Sequence, residues 1–192
     1  MNYRKGDVVM HCIHGLGKII QAEERTVYGP AMLYYAVQIG DMTVWVPADD
    51  KLGERLRLPT QEDDFQHLLD ILNGPGDLLP DDRHERKELL AEWLSDGRAE
   101  SLCRVIRGLF RYRQSHSLND NDQIILKRTQ HAFVGEWSHS LSITPAQAET
   151  ELQHLLASTA AVKSSATNDQ VLPPPPKLSV VAMLSARSRI SS

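Results

Sequence analysis

Apolar residues keep a two-residue rhythm up to about residue 58 and a helical rhythm from Pro59 to Ala157. The clearest piece of the first regime is Met42-Thr43-Val44-Trp45-Val46, closed by Pro47. Its alternation reads as a strand with Thr43 and Trp45 on one face. Before it, Leu33 to Ile39 is aromatic and β-branched, which reads as a second strand. Gly40-Asp41 between them is a two-residue link with glycine first, the arrangement of a type II′ hairpin. A short strand ending in proline suits a sheet edge, where another chain can add a strand. Trp45 is equally well accounted for as a core residue, because large aromatics are mostly buried. Upstream, Lys5-Gly6-Asp7 reads as a turn feeding a strand over Val8 to Met10. Lys18 to Ala22 reads as the next strand, then Arg25 to Tyr28, then a Gly29-Pro30 turn. So many short strands without helical periodicity predict a small SH3-like or Tudor-like barrel.

From Pro59 the spacing predicts five helices. Thr60 is the expected N-cap of the first, with Phe65, Leu68, Leu69 and Leu72 inward and Asn73 to Gly76 as its break. Pro80-Asp81-Asp82 opens the second, with Leu89, Leu90, Trp93 and Leu94 inward and Asp96-Gly97 as its stop. The third runs from about Ala99 to Arg113. Leu102, Val105, Ile106 and Leu109 form its apolar side, and Arg104, Arg107 and Arg111 its opposite side. The fourth starts near Asn119 and carries Ile124, Ile125, Phe133, Val134 and Trp137. Thr144, Pro145 and Gln147 are a well-formed start for the fifth. The expected fold is therefore α+β: a barrel over 1–58, an all-α domain over 59–157, and a tail over 158–192. The tail contains Pro173 to Pro176, so it is expected to be disordered with a polyproline II segment. Leu178 to Leu184 within it is apolar enough to dock.

The chain of 192 residues has room for one large or two small domains, and 41% hydrophobic content supports a real core. Two cysteines, Cys12 and Cys103, give no disulfide framework, which fits a reducing compartment. With no apolar leader and no run of span length, the cytoplasm is the expected location and no membrane contact is expected. The net charge of −4 argues against a general nucleic-acid coat, but it is unevenly spread. Residues 59–96 hold 3 Lys+Arg against 11 Asp+Glu, whereas 98–128 hold 7 against 3. Any nucleic-acid contact must then be local.

Phosphate loops, nucleophile elbows, dinucleotide fingerprints and metalloprotease motifs are all missing, so no catalytic residue and no cofactor is expected. His11, Cys12 and His14 are metal-donor types packed closely, but a structural zinc site wants four ligands and Cys103 lies elsewhere. A tight turn at His14-Gly15 is the favoured reading, with no metal site.

Several residues together carry a resemblance. Gly6-Asp7-Val8-Val9, His14-Gly15, Gly17, Ile20, Tyr34-Tyr35, Asp41 to Val44 and Val46-Pro47 resemble the CarD family of bacterial transcription regulators. The same barrel occurs as the RNA-polymerase-interacting module of transcription-repair coupling factors. The similarity continues through Leu94, Gly97, Val105-Ile106-Arg107, Leu109, Leu118 and Val134-Gly135-Glu136, and so spans roughly residues 3–157.

The resemblance implies that the barrel adds its edge strand to the RNA polymerase β subunit, through Arg25, Val27, Met42, Thr43, Val44, Trp45 and Val46. It implies that the helical domain meets promoter DNA on the minor-groove side, at the upstream edge of the melted region, and sets open-complex lifetime. The DNA-facing positions would be Arg83, Arg86, Lys87 and Gln123. Arg83 stands where the family has a wedge tryptophan, Gln123 where a lysine is common, and Trp45 where some members have arginine. Arginine can enter a narrow minor groove but cannot wedge a base step. Beside Asp81, Asp82 and Glu85, DNA contact would be weak and non-sequence-specific. A monomer is expected. The alternative is an interaction module that binds polymerase or another partner without touching DNA.

Overall fold

The curled antiparallel sheet at the N-terminal end follows from the alternating stretch. The structure, a computed structural model, describes residues 3–27 and 29–166, with side chains through residue 157. Its strands are β1 Val8–His11, β2 Gly15–Arg25, β3 Met32–Ile39, β4 Met42–Pro47 and β5 Leu56–Arg57, ordered β4-β3-β2-β1-β5. A single-turn helix, α1 Leu52–Arg55, leads into β5. The sheet closes around Val9, Ile19, Tyr35, Val37, Val46, Leu52 and Leu56. Tyr3 lies across this core, donating from its hydroxyl to the Leu56 carbonyl at 2.9 Å. Gly40 takes φ 54° at the first turn position, as a II′ link requires.

Two strand expectations change. Lys18 to Ala22 and Arg25 onward are not separate segments: β2 runs unbroken to Arg25, with a register shift between Ile19 and Gln21. Strand alternation leaves Ile19 buried and its neighbour Ile20 37% exposed. The fifth strand had no local signal, because two residues cannot show alternation.

His11 settles the tight turn after β1. Its Nδ1 accepts the backbone N–H groups of Ile13 at 3.1 Å and His14 at 3.3 Å, which requires that nitrogen to be unprotonated. Burial, with His14 beside it, lowers the His11 pKa from 6.5 to about 4. In acid the unfolded chain therefore takes up a proton that the folded turn resists. The contribution is full above pH 6.5 and declines as the pH falls toward 4. We expect the thermal midpoint to fall through this window, and His11→Asn, whose Oδ1 can accept the same bonds, to flatten the fall; a pH series of melts on both proteins checks it.

Five longer helices follow: α2 Glu62–Asn73, α3 Arg83–Leu94, α4 Ala99–Arg113, α5 Asp120–Ser140 and α6 Pro145–Ala166. Phe65, Phe133 and Trp137 pack with ring centroids 5.6 to 5.8 Å apart, and Leu68, Leu72, Leu90, Ile106, Leu109, Leu152 and Leu156 surround them. The capping box expected at α6 is formed: Thr144 Oγ1 accepts from Gln147 N–H, and Gln147 Oε1 accepts from Thr144 N–H. The last helix continues to Ala166, past the end expected at Ala157. Residues 158–166, expected to belong to a disordered tail, are thus helical, and the rest of that expected tail with its Leu178 to Leu184 segment, from residue 167 on, lies outside the described residues.

Three helical expectations need correction. Thr60 does not cap α2, which starts after Gln61 without a side-chain cap. Ile124 is 63% exposed. It falls between the positions of a buried stripe built from Asp122, Leu126, Thr129, Phe133 and Glu136, in which three members are polar. The α4 arginines are not a free solvent face either. Arg107 is buried and donates to the Gly74 carbonyl, Arg111 donates to Gly76 at 2.7 Å, and Arg104 pairs with Asp77 at 3.0 Å. They fasten the loop between α2 and α3.

Thr60 is redirected to the junction between sheet and helices. Glu136 of α5 is fully buried and receives both terminal nitrogens of Arg57 on β5, at 2.5 and 2.7 Å. Thr60 adds its N–H at 2.9 Å and its hydroxyl at 2.8 Å to the same carboxylate. Arg57 Nε donates to the Gly97 carbonyl at 2.7 Å. Beside this network Met10, Leu102 and Ala132 pack together, and a side chain at Gly15 would meet the Ala132 backbone at 3.1 Å. Removing one partner of such a buried pair strands the other charge. Arg57→Met is expected to cost about 3–5 kcal/mol in chemical denaturation, and Arg57→Met with Glu136→Leu much less. A double variant no more stable than the single one would show that the pair is not coupled.

Candidate functional site

The edge strand expected from the sequence is present: among the described residues β4 pairs only with β3. In a two-residue hairpin the residues flanking the turn exchange both backbone bonds, and alternate pairs beyond them do the same. With Ile39 opposite Met42 and Val37 opposite Val44, the bonded pairs are those of Met42, Val44 and Val46. Ala48 continues the series, donating to the Leu33 carbonyl at 2.8 Å. Thr43 and Trp45 therefore turn their N–H and C=O away from the sheet, free for another strand. Pro47 is the next outward position, where its missing N–H costs the sheet nothing.

Side chains follow the same parity. Val46 is 2% exposed and the half-buried Val44 packs against the barrel core, so both side chains face inward. Trp45 lies on the outer face, half-buried, which answers the core reading. Beneath it Ala36, its cross-strand neighbour, is 1% exposed. The Arg25 guanidinium stacks over the Trp45 ring at 3.6 Å. Glu23 accepts from Arg25 Nε and from Gln21 Nε2, so Gln21, Glu23 and Arg25 of β2 form one continuous array with Trp45 of β4. Met42 and Val27 are exposed, at 45% and 51%.

The four expected DNA-facing residues do not share one environment. Asp82 caps α3, accepting from His84 N–H at 2.8 Å and Glu85 N–H at 3.0 Å, and these bonds lower its carboxyl pKa. Arg83 and Lys87 then stand exposed on the first turns of α3, and Gln123 stands exposed near the start of α5. Among the described residues neither Arg83 nor Lys87 has an ion-pair partner. Arg86 is different. It is 3% exposed, pairs with Asp122 at 2.9 Å, and donates to the Pro80 and Asp81 carbonyls at 2.7 and 3.0 Å. It also reaches the Tyr112 hydroxyl at 3.2 Å and stacks on that ring. Arg86 cannot reach DNA; it ties the start of α3 to α4 and α5. His116 extends this tie, stacked on Tyr112 at 4.4 Å with Nε2 3.4 Å from Asp81. Asp122 and Tyr112 were invisible to sequence reasoning, since nothing local marks a partner 36 residues away.

Residues 3–58 match the family described as the CarD-like/TRCF RID domain. Over these residues the chain is similar to that domain, as the resemblance in its sequence implies. A relative from Bacillus subtilis (strain 168), named "Putative transcription factor YdeB", is 26% identical over 149 residues, covering 76% of this chain and 96% of the relative. The domain match and the relative's name together support a transcription-related, polymerase-binding role. Among the described residues no helix is long and apolar enough to cross a membrane. Nor, among them, do three or more His, Cys, Asp or Glu gather where an ion could be held.

The two arginines at the head of α3 should separate cleanly. Arg86→Ala strands Asp122 in the interior and is expected to cost about 3–5 kcal/mol of stability. Arg83→Ala, at an exposed site, should change it by no more than about 0.5 kcal/mol. Urea denaturation of the two variants checks this.

Proposed function

We propose that this chain is a bacterial transcription regulator that docks on the RNA polymerase β subunit by strand addition to β4. In this reading residues 1–58 are the polymerase-binding unit and residues 59–157 the helical unit. The helical unit presents Arg83, Lys87 and Gln123 to promoter DNA, on the minor-groove side at the upstream edge of the melted region, and so alters open-complex stability. It acts as a cytoplasmic monomer without cofactor or catalytic residue. The observation that carries the reading is the β4 edge: two outward backbone pairs at Thr43 and Trp45, flanked by the Arg25–Trp45 stack. Main-chain pairing supplies affinity in such additions and outer-face side chains supply selectivity.

A second reading, a polymerase-binding module without DNA contact, draws on Arg86. Its burial leaves fewer cations at the head of α3, where Asp81, Asp82 and Glu85 are all exposed. Promoter-complex lifetime with wild type, Arg83→Ala and Arg83→Trp separates the two. Identical lifetimes for all three proteins select the second.

Backbone pairing itself is tested at Thr43, whose hydroxyl donates only to Gln38 Oε1 at 2.9 Å. Thr43→Pro removes an outward N–H while the ladder to β3 stays intact, and Thr43→Ala removes only the side chain. An unmatched partner carbonyl costs about 1–3 kcal/mol, roughly five- to a hundredfold in affinity. Polymerase capture is expected to fall by that factor for Thr43→Pro and to stay near wild type for Thr43→Ala. Equal capture by both would sink the strand-addition mechanism.

A further inference from the structure

We propose that one flank of α3, apolar and acidic, is a docking surface for the chain's own C-terminal segment, residues 177–190. Wound at about 100° per residue, α3 divides into distinct rows. Arg86 and Leu90 are buried and form the row turned into the helical core. Arg83 and Lys87 lie to one side of that row, exposed. Leu89 and Trp93 lie to the other side, half-buried against the core. Beyond these two come Glu85, Glu88 and Glu92, all exposed. The two flanks of one helix therefore differ in sign: cations on the side of Arg83, carboxylates on the side of Trp93.

The acidic flank is built like a contact surface. The Arg104 guanidinium stacks over the Trp93 ring at 4.4 Å, and its Nε donates to Asp77 at 3.0 Å. Leu78, next in sequence to Asp77, is 77% exposed, more than any other large apolar residue among the described ones. Its neighbour Leu79 packs against Gly108, one helical turn beyond Arg104. Pinning Leu79 inward turns Leu78 out beside the Trp93–Arg104 stack. Tryptophan and arginine are the residues that most often anchor protein contacts, and Leu78 extends their apolar area. Asp77 already neutralises Arg104, whereas Glu85, Glu88 and Glu92 have no ion-pair partner among the described residues. What binds here must be apolar and basic.

The chain itself supplies such a segment. From residue 170 to 192 the sequence has no acidic residue, and Lys177, Arg187 and Arg189 bracket the apolar stretch from Leu178 to Leu184. Its three cations match the three unpaired carboxylates of α3, and its apolar centre matches Leu78, Leu89 and Trp93. The connection is long enough. Residues 167–177 join the end of α6 at Ala166 to Leu178. Fully extended they span about 36–40 Å, roughly three times the radius of gyration of a unit of about 100 residues. Tethering makes the docking intramolecular, so contacts too weak to hold a free peptide suffice. The surface is separate from β4 and from the Arg83 side of α3, so the inference stands whether or not the chain meets polymerase or DNA.

The test is trypsin cleavage of the full-length chain after Lys177, Arg187 and Arg189, whose rates track the undocked population. Wild type is compared with a surface variant, Glu88→Gln with Glu92→Gln, and a segment variant, Val181→Ser with Leu184→Ser. Glu151→Gln, on the exposed side of α6, is the control. The surface variant should be cut about two- to thirtyfold faster at the three sites, the range that two surface charge pairs span. The segment variant should also be cut faster, and the control at the wild-type rate. In nitrogen-15 spectra the Trp93 indole N–H should shift between wild type and the segment variant while that of Trp45 stays in place. Thermal midpoints near wild type separate the surface variant from misfolding, since neither glutamate holds a partner. Equal rates in all four proteins overturn the docking. Faster cleavage of the segment variant alone overturns α3 as its site. Protection that rises with protein concentration shows capture by a second copy and overturns the intramolecular contact.

Discussion

The polar link between the sheet and the helices centres on one buried carboxylate. Glu136 has no solvent and four donated hydrogen bonds, two from Arg57 and two from Thr60. A lone buried carboxylate would be strongly unfavourable, so the charge is tolerable only where β5 and the chain after it come to meet it. Apolar packing between Met10, Leu102 and Ala132 holds the two halves together without fixing their angle. The bidentate pair, which is directional, fixes it. The orientation of the β4 edge relative to the head of α3 is thus set by a polar contact. The proposed function, in which the sheet and the helices each meet a partner, needs that angle constant.

The same logic recurs at Arg86. The interior here spends charge on geometry: Arg86 gathers two carbonyls, a carboxylate and a tyrosine hydroxyl around the entry to α3. The neighbouring arginines of α4 do likewise for the loop before it. The residues left exposed around this end, Arg83, Lys87, Arg113 and Lys127, stand on a frame made rigid by their buried counterparts. Composition alone cannot separate the two classes, because an arginine in a carbonyl nest and one facing solvent are the same letter.

That is also where sequence reading stopped. The hairpin was legible because Gly40-Asp41 and a five-residue alternation leave few alternatives, and the capping box at Thr144 was legible because its chemistry is local. The five helices were legible from their apolar spacing. The buried stripe of α5 was not, since Asp122, Thr129 and Glu136 interrupt it with polar residues whose partners lie on other elements. Thr60 looks like a cap because threonine before a helix usually is one; here a distant carboxylate competes successfully for its hydroxyl. Of the candidate site, the strand edge was visible in the sequence, and the inward turn of Val44 and Val46 was implicit in the period. The burial of Arg86 was not visible, because it depends on tertiary partners.

Pro47 sets a ceiling on what the edge can do. With outward N–H groups only at Thr43 and Trp45, and a carbonyl alone at Pro47, an incoming strand finds about five backbone bonds, each worth roughly 0.5–1.5 kcal/mol net, before the ladder ends. Such a seam is too short to hold a partner by main chain alone, and a second copy of the chain would find the same two-residue limit. The edge is therefore poorly suited to runaway self-pairing. It rewards only a partner that also fits the Arg25–Trp45 face, so brevity turns a generic sticky edge into a selective one.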